Sequence, residues 1–135
     1  MHVIRLRKPW MRTREPGDST DDRVDVPDLD QARAIPVDSV LVYRRKFNRP
    51  TKLSNARVYL SISEWRGQLE SVMLNGDAVP CDASWTCFRQ EITSRLKLHN
   101  ELVIRLAQAP ESAPRLSGEV SLVIEELVSD ESTTT

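Results

Sequence analysis

Apolar residues along this 135-residue chain recur mostly at every second position, the spacing of strands that bury one face. Arg57 to Ser63 shows it most cleanly: Val58, Leu60 and Ile62 fall on one side, Tyr59, Ser61 and Ser63 on the other. His2 to Trp10 sets Ile4 and Leu6 between Arg5 and Arg7 before Pro9 ends the pattern, which predicts a first strand. Val40 to Phe47 is a β-branched and aromatic run that stops before Asn48 to Pro50, and it predicts a second. After a turn at Glu64 to Gly67, Gln68 to Leu74 and Ala78 to Pro80 flank Asn75-Gly76, a pair suited to the positive φ angles of a type I′ hairpin. Further strands are expected over Trp85 to Ile92, Leu102 to Leu106 and Leu116 to Leu127. Ile92 to Leu96 should lead into one helical turn capped by the Thr93 hydroxyl, and His99-Asn100 should form a polar turn. About eight short strands with almost no helical periodicity predict an all-β jelly-roll β-sandwich.

Between these strands, Met11 to Asp38 changes character. Eight acidic residues face four arginines, with three prolines and a glycine, so the segment is expected to be a long acidic loop anchored by Val24, Val26, Leu29 and Ile35. Residues 129–135 are polar and acidic and are expected to be a disordered tail, leaving 1–128 as a single domain. A 39% hydrophobic and 29% charged composition is that of a soluble protein, and a formal net charge of −1 gives no overall field toward nucleic acid or an anionic membrane. No apolar run approaches the length of a membrane span, and the first ten residues lack a signal-peptide core, so a cytoplasmic location is expected. Cys81 and Cys87 are then expected as free thiols. With His2 and His99 as the sole histidines and no metal-ligand spacing, neither a metal nor another cofactor is expected.

Five short patterns run in order from Tyr43 to Leu106: Y-R-R-K-F, R-V-Y-L-S-I, V-M-L-N-G, F-R-Q-E-I-T-S-R-L and N-E-L-V-I-R-L. Their order and spacing resemble the N-terminal sugar-binding jelly roll of glycoside hydrolase family 2, a galactose-binding-like domain. Ile4-Arg5-Leu6 and Trp10 are similar to the tryptophan-containing opening strand of such domains, while the acidic insertion after them departs from the pattern. The resemblance implies a carbohydrate-binding role. It does not carry the enzymes' activity, because their mechanism takes two carboxylates about 5 to 9 Å apart, which a separate catalytic barrel supplies. The chain is therefore expected to be a non-catalytic binding module with no catalytic residue.

Candidate ligand contacts cluster near strand ends. Trp65 and Trp85 could stack on a sugar face, although indoles also fill the ends of sandwich cores. Arg66, Asp82 and Arg89 could orient hydroxyl groups, with solvation as the simpler role. Asn75 could reach a hydroxyl, but its place in the turn already accounts for it. Val40 to Arg57 carries Arg44, Arg45, Lys46, Arg49, Lys52 and Arg57 with no acidic residue, yet only Tyr43 and Phe47 are aromatic there. Nucleic acid is therefore disfavoured, and the acidic segment offers an internal counterweight. The expected partner is a carbohydrate or, alternatively, another protein docked on a sheet edge or a flat apolar face, with the chain a monomer or weak dimer and no membrane association.

Overall fold

The alternating segments satisfy their backbone hydrogen bonds in two antiparallel sheets and bury their apolar faces between them. The computed structural model describes residues 1–15, 22–29, 39–51, 53–82, 84–110 and 112–127. One sheet has four strands in the order β1 (His2–Arg5), β10 (Val120–Glu126), β5 (Ala56–Ile62) and β8 (Phe88–Glu91). The other has six, ordered β3 (Asp22–Val24), β2 (Trp10–Glu15), β4 (Val40–Asn48), β9 (His99–Ala107), β6 (Gln68–Leu74) and β7 (Asp77–Val79). From β4 onward nearly every connection crosses from one sheet to the other, so neighbours in a sheet are mostly distant in sequence. The architecture is an all-β sandwich. No helix among the described residues is long and apolar enough to cross a membrane.

The core follows directly from strand periodicity. Val58, Leu60 and Ile62 on β5, with Val120, Leu122 and Ile124 on β10, face Tyr43, Phe47, Leu102, Ile104 and Leu106 of the larger sheet. Trp10 is fully buried, and its indole N–H donates to the Leu6 carbonyl at 2.7 Å, so the largest apolar side chain enters the core with its polar atom satisfied.

The first predicted strand divides. β1 ends at Arg5, the Leu6 N–H still reaches the Val120 carbonyl at 2.8 Å, and the chain then passes to the other sheet, where Trp10 opens β2. The expected loop over 11–38 thus contains β2 and β3, while 16–21 and 30–38 lie outside the described residues. Period two fails to mark β2 because its buried side chains, Trp10 and Thr13, are three apart. Of the expected anchors, Val26 is buried and Val24 packs against the core, but Leu29 is 86% exposed; Ile35 lies outside the described residues, as do 129–135.

Two further expectations change. His99 and Asn100 do not form a turn; they begin β9, opposite Asn48 and Phe47. Thr93–Arg95 is a 3₁₀ turn without a side-chain cap. The Thr93 hydroxyl instead accepts from the Val58 N–H at 2.8 Å, and the Ile92 N–H donates to the Val58 carbonyl at 2.8 Å, so the turn is tied to β5.

Candidate functional site

Strand register divides the six sequence-predicted contacts between the two ends of the sandwich. Trp65 and Arg66 lie in the link from β5 to β6, and Trp85 precedes Phe88, which pairs with Ile62 at the close of β5. Both tryptophans therefore lie at the same end. Each is half-buried against the core, and the Trp85 ring is 6.2 Å from that of Phe88 at an angle of 58°. The Asp82 carboxylate accepts the Ser84 N–H at 2.9 Å and the Ser84 hydroxyl at 2.8 Å, bonds that hold its pKa below the ordinary value. Arg66 exchanges backbone hydrogen bonds with Arg115. Arg89 lies 4.6 Å from the centre of the Tyr59 ring and 3.7 Å from Glu125 on the outer face of the smaller sheet.

Asn75 is at the opposite end, separated from Arg66 by the seven residues of β6, or about 20 Å at the usual strand rise. Asn75 and Gly76 take the positive φ values of 56° and 85° that the hairpin requires. The Asn75 side chain donates to Asn100 Oδ1 at 3.0 Å and to the Arg95 carbonyl at 3.3 Å, and it accepts the Glu101 N–H at 2.9 Å. Asn100, only 3% exposed, also accepts the Lys97 N–H at 2.8 Å and donates to the Lys97 and Phe47 carbonyls. This amide pair joins the hairpin tip, the 3₁₀ turn, β4 and β9, and its capacity is spent on the protein.

Beside that pair is an open hollow of about 750 Å³, lined by Arg45, Lys46, Phe47, Asn48, Asn75, His99, Asn100 and Glu101. The size suits a small ligand. His99 Nδ1 is 3.0 Å from Asn48 Oδ1, a contact in which the ring nitrogen donates to the amide oxygen. Arg45 donates to the Pro9 carbonyl at 3.0 Å, and burial pulls its pKa downward. Hydroxyl groups could meet donors and acceptors from the Asn48 amide, imidazole, guanidinium and ammonium here. Sequence reasoning placed Arg45 and Lys46 in a basic run and His99-Asn100 in a turn; only the β4–β9 register brings the four together.

The rest of that basic run disperses. Arg44 meets Glu15 of the acidic segment at 2.9 Å, Arg57 is on the other sheet, and Lys52 lies outside the described residues. Cys81 is half-buried, Cys87 is exposed, and both are free thiols. Among the described residues no group of three His, Cys, Asp or Glu side chains is arranged to hold a metal.

The fold is that of the N-terminal jelly roll of glycoside hydrolase family 2 glycosidases. Solved structures similar to this chain include an FMN-binding β-glucuronidase from Faecalibacterium prausnitzii, with 20% identity and a TM-score of 0.70 over 90% of this chain and 22% of the enzyme. A protein assigned as a β-galactosidase from Bacteroides fragilis matches with 18% identity and a TM-score of 0.71 over 93% of this chain and 23% of its own. A β-D-mannosidase from Dictyoglomus thermophilum matches with 17% identity and a TM-score of 0.65 over 91% and 22%. The chain thus spans less than a quarter of each of these proteins. No family model and no curated protein sequence matches it.

Proposed function

We propose that this chain is a non-catalytic module that recognises carbohydrate. The observation that carries the reading is the hollow beside Asn75 and Asn100, where side chains able to donate to and accept from hydroxyls line a space of about 750 Å³. The fold's likeness to domains of glycosidases supports a saccharide as the ligand. Absence of turnover is supported by chemistry: Glu101 is the one carboxylate among the lining residues, whereas glycoside hydrolysis takes two. Trp65 and Trp85, with Arg66, Asp82 and Arg89, offer a second contact region at the far end. Their half-burial suits core filling better than a flat stacking platform.

A protein partner is the alternative reading. Its supporting observation is β1, an edge strand of the smaller sheet whose Val3 is 45% exposed.

Titration with galactosides, glucuronides and mannosides up to millimolar concentration, followed by amide shifts and tryptophan fluorescence, tests the two readings. Shifts confined to Asn48, Asn75, His99 and Glu101 are expected. Shifts at Trp65 and Trp85 instead would move the site to the far end, and a flat response to every sugar would discard carbohydrate recognition and favour the protein partner.

A further inference from the structure

We propose that β8 is a self-complementary docking edge, through which two copies of this chain join their four-stranded sheets into one continuous antiparallel sheet about a twofold axis at Gln90. The proposal is independent of the carbohydrate reading, because no residue of β8 lines the hollow.

β8 is the last strand of the smaller sheet and pairs on one side with β5. Which of its backbone groups stay free follows from the phase of the hydrogen bonds. The Ile92 N–H donates to the Val58 carbonyl at 2.8 Å, so in this antiparallel register Gln90 and Phe88 also turn their N–H and C=O groups toward β5, at Leu60 and Ile62. The Ser63 N–H donates to the Glu119 carbonyl at 3.0 Å, which sends the alternate residues of β5 to β10 and agrees with that phase. The N–H and C=O of Arg89 and Glu91 therefore point away from the sheet. Among the described residues nothing bonds to them, and both residues are exposed.

Charge then selects a second copy as the occupant. Pairing about Gln90 sets Arg89 opposite the partner's Glu91 and Glu91 opposite the partner's Arg89, and these are the residues whose outward N–H and C=O groups can bond across the axis. A slip of two residues would set Arg89 against the partner's Arg89 or Glu91 against the partner's Glu91, and a slip of one loses the hydrogen-bond phase. Both charges lie on the outer face: Glu91 is opposite Tyr59, and Arg89 lies over the Tyr59 ring at 4.6 Å. The approach of Arg89 to Glu125, at 3.7 Å, exceeds hydrogen-bond range, so its half-exposed guanidinium keeps donors for the partner's Glu91. Gln90, half-buried and without a side-chain hydrogen bond within the chain, meets the partner's Gln90 at the axis. Other edges lack this pattern. In β7 the Ala78 carbonyl accepts from Arg95 Nη1 at 3.1 Å, and β1 carries His2 and Arg5 with no acid to compensate them in self-pairing.

The test is sedimentation equilibrium of the full chain, with amide hydrogen exchange to locate the contact. A short edge buries little area, so a weak dimer with a dissociation constant on the order of 0.1 mM is expected. The Arg89 and Glu91 amides should gain protection as concentration rises, while those of Val3 and Arg5 stay unchanged. Arg89→Glu and Glu91→Arg each set like charges across the axis and should each weaken self-association about tenfold or more. An equimolar mixture of the two variants restores opposite charges and should associate at least as tightly as the wild type, a result that misfolding of either variant could not produce. A chain that stays monomeric to about 1 mM, well above that expected constant, would overturn the proposal. So would single variants that self-associate like the wild type, a mixture that fails to associate, or protection that appears at Val3 and Arg5 instead.

Discussion

Asp28 is 2% exposed, yet it carries a carboxylate. It accepts from the Arg12 guanidinium at 2.8 Å and from the Tyr43 hydroxyl at 2.6 Å, and that hydroxyl in turn accepts the Leu116 N–H at 3.2 Å. Burial works against the charge on Arg12, but its hydrogen bond to Asp28 and the nearby carboxylates prevail and raise its pKa; burial, followed by the bond to Asp28, raises that of Tyr43. Cutting such a network leaves a cation with a lost partner. Asp28→Ala is expected to cost about 3–5 kcal/mol and Tyr43→Phe about 1–3 kcal/mol in urea denaturation. An Asp28→Ala change within about 0.5 kcal/mol of the wild type would show that the pair contributes nothing net. Asp28 is one of eight acidic residues between Met11 and Asp38, and nothing in the local sequence distinguishes it from the others. Arg12 and Tyr43 reach it only through β2, β4 and the close return of the chain after β3, where the Asp28 N–H donates to the Leu116 carbonyl.

Among the elements, the turn of the β6–β7 hairpin was legible because Asn75-Gly76 specifies it without outside help, whereas β6 itself steps out of alternation between Leu69 and Ser71 and buries Leu69, Val72 and Leu74. The turn before it depends on more than local preference. Gly67 has φ +84°, and a Cβ there would sit 2.6 Å from the Ala107 carbonyl oxygen and 2.9 Å from Pro114 Cα. At Gly76, φ is +85° but the space is open. Gly76→Ala should therefore cost about 1–2 kcal/mol, the ordinary penalty of the left-handed conformation, and Gly67→Ala distinctly more. Equal melting temperatures for the two variants would contradict this account. β2 and the start of β9 were not legible, for opposite reasons: β2 buries Trp10 and Thr13 out of period, and His99-Asn100 is too polar to read as strand. Asn100 is tolerated inside because Asn75, Lys97 and Phe47 satisfy its amide.

Across the molecule, Glu15 connects three strands of the larger sheet, accepting from Arg44 and Arg105 at 2.9 Å each. The bond from Arg44, then that from Arg105, holds its pKa below the usual carboxylate value. Since the folded value is depressed, the contribution to stability is complete above the unfolded value and is lost as pH falls through the folded one. Glu15→Gln should melt below the wild type at neutral pH, with the gap closing in scanning calorimetry as the pH falls below the ordinary carboxylate range. A gap independent of pH would assign the effect to packing instead of charge.

Strand periodicity and turn chemistry were enough to determine an all-β sandwich and the positions of most strands, because each strand must carry its own buried face and each tight turn its own permissive residues. Which residues meet at a site was decided by tertiary structure. Antiparallel register set His99 and Asn48 side by side from positions 51 apart, and the length of β6 carried Asn75 away from the tryptophans with which sequence reasoning had grouped it. Periodicity records which face of a strand is buried and contains no term for the identity or register of the neighbouring strand; long-range pairing in the folded chain supplies both.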